Sequence, residues 1–162
     1  MRRLILMRHA KSDWSQGASD HDRPLNPRGH RAAAALGDWL RQVAALPDAV
    51  LCSTAQRTRD TLDGLALPDE TRVTYSRALY LASAEDILAV LRAAKGKCLL
   101  LLAHNPGIAT AAAQFLRAAP DHGKFQRYPS GATLVAEFEI DDWVHADWGK
   151  ANARHFTVPR DL

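Results

Sequence analysis

The sequence predicts an α/β protein: a mostly parallel sheet with helices on both faces. Three observations carry that reading. Short apolar runs alternate along the whole chain with amphipathic stretches. The run Cys98–Ala103 is continuous and apolar, as a central strand buried on both faces must be. Between the apolar runs stand helix-start signals, at Asn26-Pro27, Ser53, Ser83 and Asn105-Pro106. The 162 residues are 47% apolar and 24% charged, with no repeat and no Gly/Ser-rich linker, so a single domain over residues 1–162 is expected.

Taken in order, Leu4–Met7 predicts a first buried strand. Asn26 caps a helix that has Pro27 in its first turn and Leu36, Leu40 and Val43 at helical spacing. Ala49–Cys52 predicts a second strand. Ser53, with Gln56 three residues on, is a capping-box signal for a helix continued by Thr61, Leu62 and Leu65 as far as Pro68. A short strand is expected around Val73–Tyr75. Ser83 caps a helix carrying Ile87, Leu88 and Leu91 and ending at Gly96. After the strand Cys98–Ala103, Asn105-Pro106 repeats the cap-and-proline start, with Ile108, Ala112 and Phe115 on one face behind it. Thr133–Ile140 alternates like an antiparallel or edge strand, and Ala153–Val158 predicts another.

Composition narrows the function. The formal charge is +3, and 16 of the 21 basic residues are Arg, a side chain suited to bidentate recognition of phosphate. They are interleaved with 18 acids and form no basic tract, so no nucleic-acid partner is expected. Apolar runs fall well short of the roughly 18 residues of a membrane span. Arg8 and His9 cut the N-terminal apolar stretch below the roughly 7–15 residues of a secretory signal. A cytoplasmic protein without a membrane partner is expected. Cys52 and Cys98 lie in apolar runs and read as free core thiols, not as zinc ligands or a disulfide framework. Cys52 also stands one residue too close to Arg57 for the cysteine-phosphatase spacing. Zinc ligation by His9 and His104 would want carboxylates or further histidines beside them, and Arg8 disfavours a bound cation.

In such sheets, sites form beyond the carboxyl ends of the strands. The first strand delivers Arg8-His9, the second leads to Arg57, and the strongest ends at His104. Two arginines and two histidines therefore converge on one rim, without an aspartate among them. That is an anion site, in which Arg8 and Arg57 fork onto phosphoryl oxygens and helix N-termini add N–H donors. A neutral imidazole in that field is a competent nucleophile toward phosphorus.

Arg8-His9 directly after the first strand resembles the Arg-His-Gly signature of the histidine phosphatase superfamily, the phosphoglycerate-mutase-like fold, with Ala10 in place of glycine. Ser53-Thr54-Ala55-Gln56-Arg57 followed by Thr61 resembles its second motif, and His104 matches its second histidine. Arg8-His9-Ala10-Lys11-Ser12, Asp22-Arg23-Pro24-Leu25-Asn26 with Arg28-Gly29, and His104-Asn105-Pro106-Gly107 resemble the SixA-like branch. The resemblance spans about Leu4 to Ala132. It implies a three-layer α/β/α sandwich around a mostly parallel six-stranded sheet with one antiparallel strand. It implies His9 as the phosphorylated nucleophile, with Arg8, Arg57 and His104 as the phosphate pocket, and no metal or organic cofactor. The implied partner is a phosphorylated protein of the histidine phosphotransfer type.

Lys11 and Ser15 are further substrate-binding candidates. Ser15 stands where mutase-type members carry Asn, and Asn105 where phytase-like members carry a donor Asp. Glu85 is the one Glu near the segment that supplies the proton donor in mutase-like members, and it reads equally as a helix-dipole residue. A missing donor fits a phosphoramidate or acyl phosphate better than an alkyl phosphate, whose alkoxide needs protonation. Two alternatives stay open: a phosphatase of a small phosphorylated metabolite, and a phosphate-binding module without turnover.

Overall fold

The computed structural model covers residues 1–162. Its strands are β1 (Arg2–Arg8), β2 (Ala49–Ser53), β3 (Arg72–Ser76), β4 (Cys98–Ala103), β5 (Thr133–Phe138) and β6 (Ala151–Thr157). Its helices are α1 (Pro27–Gln42), α2 (Gln56–Gly64), α3 (Ala84–Arg92) and α4 (Gly107–Phe115). The sheet order is β3-β2-β4-β1-β5-β6. β1, β2, β3 and β4 pair in parallel, and β5 runs antiparallel to both of its neighbours, β1 and β6. This is the expected sandwich with its single reversed strand.

Strand alternation divides the core between the two faces. Leu4 and Leu6 of β1, with Leu99 and Leu101 of β4, pack with Ile87 and Leu91 of α3 and Ile108 and Phe115 of α4. Ile5, Met7, Leu100 and Leu102 face the other way, onto Leu36 and Leu40 of α1 and Leu62 of α2. β1 and β4 are therefore apolar at every core position, which is why they read as continuous runs and not as alternating ones. β3 is a mostly exposed edge strand, and correspondingly the weakest of the parallel-strand signals.

Two helix starts behave as expected. The Asn26 side chain accepts from Gly29 N at 2.8 Å, and Ser83 forms a reciprocal capping box with Asp86. Two others are corrected. α2 begins at Gln56 behind Ala55, whose side chain cannot cap it; Ser53 Oγ faces His104 Nε2 at 2.7 Å. α4 begins at Gly107, with Pro106 in the cap position; the Asn105 side chain donates to the carbonyls of Arg127 and Tyr128, each at 3.0 Å. In both places a cap-competent side chain is drawn into tertiary contacts. α2 also stops at Gly64 and α3 at Arg92, short of Pro68 and Gly96. No helix is long and apolar enough to cross a membrane.

Candidate active site

β1 and β4 lie side by side in register, with Arg8 opposite Ala103, so the residues that follow them emerge together. The His9 and His104 ring centroids stand 5.4 Å apart. Arg8, His9, Arg57 and His104 line one cup of about 210 Å³, together with Lys11, Ser12, Trp14, Arg23, Leu81, Asn105 and Ser130. His9, Arg57 and His104 are all nearly inaccessible, at 6%, 3% and 2% exposure. Among the sequence candidates, Ser15 is not brought to this cup: it is exposed, and its N–H and hydroxyl both turn to Asp13. Glu85 is exposed in the first turn of α3 and does not line the cup.

The loop after β1 is fixed by two helices, α2 and α1. Ala10 N donates to Thr61 Oγ1 at 3.0 Å, and the same hydroxyl donates to Arg57 O at 2.7 Å, tying the β1 loop to α2. Ala10 does not have positive φ, so a methyl group is compatible with its backbone where the family signature has glycine. Helix α1 approaches so closely that a Cβ on Gly29 would stand 2.1 Å from Lys11 O. Gly29 is thus required by contact, not by backbone freedom.

His9 Nδ1 lies 2.7 Å from Ala10 O, an acceptor only. The ring proton therefore sits on Nδ1, and Nε2 keeps its lone pair. Burial, followed by the nearby His104, Arg8 and Arg57, pushes the His9 pKa down to about 3, so the neutral ring prevails near neutrality. His104 is lowered to about 3 as well, chiefly by burial and next by Arg57. Its Nε2 faces Ser53 Oγ, while its Nδ1 is buried without a partner. Arg8 Nε and Arg57 Nε are likewise buried and unpartnered. Three nitrogens of the four predicted residues thus lack partners within the protein.

Sequence reasoning missed Asp20. Arg57 donates to Asp20 O at 2.6 Å and to its Oδ2 at 3.1 Å. Arg23 reaches Asp20 Oδ1 at 3.3 Å, and Tyr80 donates its hydroxyl to Oδ2. The Tyr80 bond, then Arg57, outweigh desolvation and hold the Asp20 carboxyl at about 2. It is an anchor for Arg57, not a store of protons. Arg23 also donates to Ser12 Oγ at 2.7 Å and lies 3.4 Å from the centre of the exposed Trp14 ring. The sequence placed Arg23 within a motif, but only the fold brings Asp20, Tyr80 and Arg57 together.

The histidine phosphatase superfamily (branch 1) matches residues 4–80 of the chain. An uncharacterized protein of Mycobacterium tuberculosis is 35% identical over 161 residues, covering 95% of this chain and all of that one. The solved structure assigned as the phosphohistidine phosphatase SixA of Nakamurella multipartitia superimposes with a TM-score of 0.86 at 32% identity, covering 98% of this chain and 96% of that one. The chain belongs to the histidine phosphatase superfamily, in its SixA-like branch. It is a phosphatase. A second SixA structure, of a complex with tungstate, shares the fold of this phosphatase at a TM-score of 0.78 and 19% identity, with 98% of each chain covered.

Proposed function

We propose that this phosphatase removes the phosphoryl group from phosphohistidine on a phosphotransfer protein, by way of a phosphoryl group carried on His9. The observation that carries the reading is the His9 tautomer: with Nδ1–H committed to Ala10 O, the lone pair of Nε2 is available in a cationic cup. Arg8, Arg57 and His104 bind the equatorial oxygens, as their unpartnered Nε and Nδ1 atoms support. Ser53 Oγ accepts from Ala55 N at 3.3 Å, leaving its own proton free for His104 Nε2. That bond puts the His104 ring proton on Nδ1, as a donor to the phosphoryl group.

In the first step, His9 Nε2 forms a bond to phosphorus while the substrate's P–N bond breaks. The departing ring takes that electron pair and leaves as neutral imidazole, having been protonated on its other nitrogen. Water then attacks phosphorus, the P–Nε2 pair returns to His9, and the water proton leaves with inorganic phosphate. No carboxylate lines the cup. An alkyl phosphate would forgo acid assistance worth roughly 10²–10⁴ in rate, whereas a phosphoramidate supplies its own protonated leaving group. Lys11 at the rim meets the substrate beside the phosphoryl group.

His9→Ala is expected to abolish turnover of a phosphohistidine protein while retaining phosphate binding, and the acid-quenched wild-type enzyme to carry one phosphoryl group on His9 by mass spectrometry. Turnover surviving in the variant would remove His9 from the mechanism. Sugar phosphates hydrolysed in preference to phosphohistidine protein under one set of conditions would favour the small-metabolite reading instead.

A further inference from the structure

Beside the cup lies a second, larger cavity of about 330 Å³. Lys11, Arg28, Lys124, Arg127 and Arg160 all line it, and Lys11 and Ser130 belong to both cavities. All five cations are exposed. Lys124 and Arg127 enter hydrogen bonds only through their backbone groups. The side chains of the five make no ion pair within the chain. The one carboxylate at this cavity, Asp161, is held by His122 Nε2 at 2.8 Å. Elsewhere Arg23 and Arg57 meet Asp20, Arg41 meets Asp38, Arg92 meets Asp147, and Arg154 meets Glu137. Other cations such as Arg31 and Arg117 are unpaired as well, so what marks this opening is that five cations gather around it.

Five cations against the single carboxylate of Asp161 leave the opening net positive, and such a surface attracts an anion. The two cavities differ in kind. The cup's Arg57 and His104 are buried and fixed, suited to one compact phosphoryl group. The neighbouring cations ride on long exposed side chains from separate parts of the chain: the loop after β1, the start of α1, the segment 124–130 and the C-terminus. Such dispersed charges suit several spaced carboxylates better than one compact phosphoryl group.

We propose that this cavity is a docking subsite for Asp or Glu side chains flanking the phosphorylated histidine of the protein substrate. The substrate segment then passes from the cup over Lys11 into the basic cavity. This inference rests on the phosphohistidine reading of the cup.

The test uses two fluorescent phosphohistidine peptides, identical except for Glu or Gln at the flanking positions. Binding is read by anisotropy on the full-length His9→Ala protein at low salt, where no turnover intervenes. The Glu peptide is expected to bind about tenfold more tightly, as a few rim charge pairs supply. Adding Arg28→Ala, Arg127→Ala and Arg160→Ala should erase that preference while the melting temperature stays at the parent value, excluding misfolding. Equal affinity for the two peptides, or a Glu preference that survives the triple substitution, overturns the subsite. Hydrolysis is measured separately with His9 intact. Failure to turn over either peptide overturns the phosphohistidine reading of the cup, while the binding comparison still decides whether the basic cavity recognises carboxylates.

Discussion

Each imidazole of the cup is set by a neighbour that carries no charge. Ala10 O fixes the His9 tautomer from the backbone, so no substitution of residue 10 by another L-residue removes that acceptor. Ser53 is the vulnerable partner. Ser53→Ala is expected to lower kcat about 10–100-fold with little change in KM, because His104 loses its hold on the reactive tautomer; steady-state kinetics with phosphohistidine protein checks it, and an unchanged kcat would separate Ser53 from catalysis. The buried His104 Nε2, left unsatisfied, should also cost about 1–3 kcal/mol of stability. Asp20 acts on the other side of the cup. Asp20→Ala removes a charged hydrogen bond to Arg57 worth about 1.5–3 kcal/mol, so kcat/KM should fall by about tenfold or more; activity equal to wild type would mean that the Asp20 backbone contact alone positions Arg57.

At the scale of the element, the central parallel strands were legible and the exposed edge strand β3 was the least distinct, because burial on both sides of a strand leaves no room for polar residues. Cys98–Ala103 was readable to the residue for that reason. Arg8, His9, Arg57 and His104 were legible too, since strand ends and helix starts place them on one rim. Local cap chemistry was less reliable: Ser53 and Asn105 carry the residue types of helix caps, yet the fold uses their polar atoms across long sequence separations. Asp20 was illegible for the same reason, its partners Arg57 and Tyr80 being distant in sequence. Close approach of elements is equally invisible in one dimension. A Cβ on Gly107 would stand 1.8 Å from Ala82 O, forcing α4 off the segment before α3. Gly107→Ala is therefore expected to destabilise the fold by about 1–3 kcal/mol despite the better helix propensity of alanine, as chemical denaturation would reveal; a stabilised variant would mean that the two segments yield freely.

For the whole molecule, the two buried imidazoles tie stability to acidity. Both are held at about 3 when folded, against 6.5 ordinarily. Between those values the unfolded chain binds protons that the folded one refuses. Their contribution is thus complete above about pH 6.5 and is lost as the pH falls toward 3. Melting temperatures should drop across this window, and His104→Ala should show a shallower drop than the parent; parallel curves would show that the ring is not held neutral. The charge distribution belongs to this scale as well. A net charge of +3 says little by itself; what matters is that five cations without ion pairs gather around one opening, and composition cannot show that.

β1 is an interior strand, bonded to β4 on one side and β5 on the other. The proposed nucleophile therefore extends from a rib of the scaffold, not from a hinge or flap. Fraying at the sheet margins, such as β3, can proceed without displacing it, so partial opening should leave the reactive imidazole in place and inactivation should coincide with global collapse. Amide exchange along Leu4–Met7 would then slow to the rate of complete unfolding, and loss of activity on heating would track that same event.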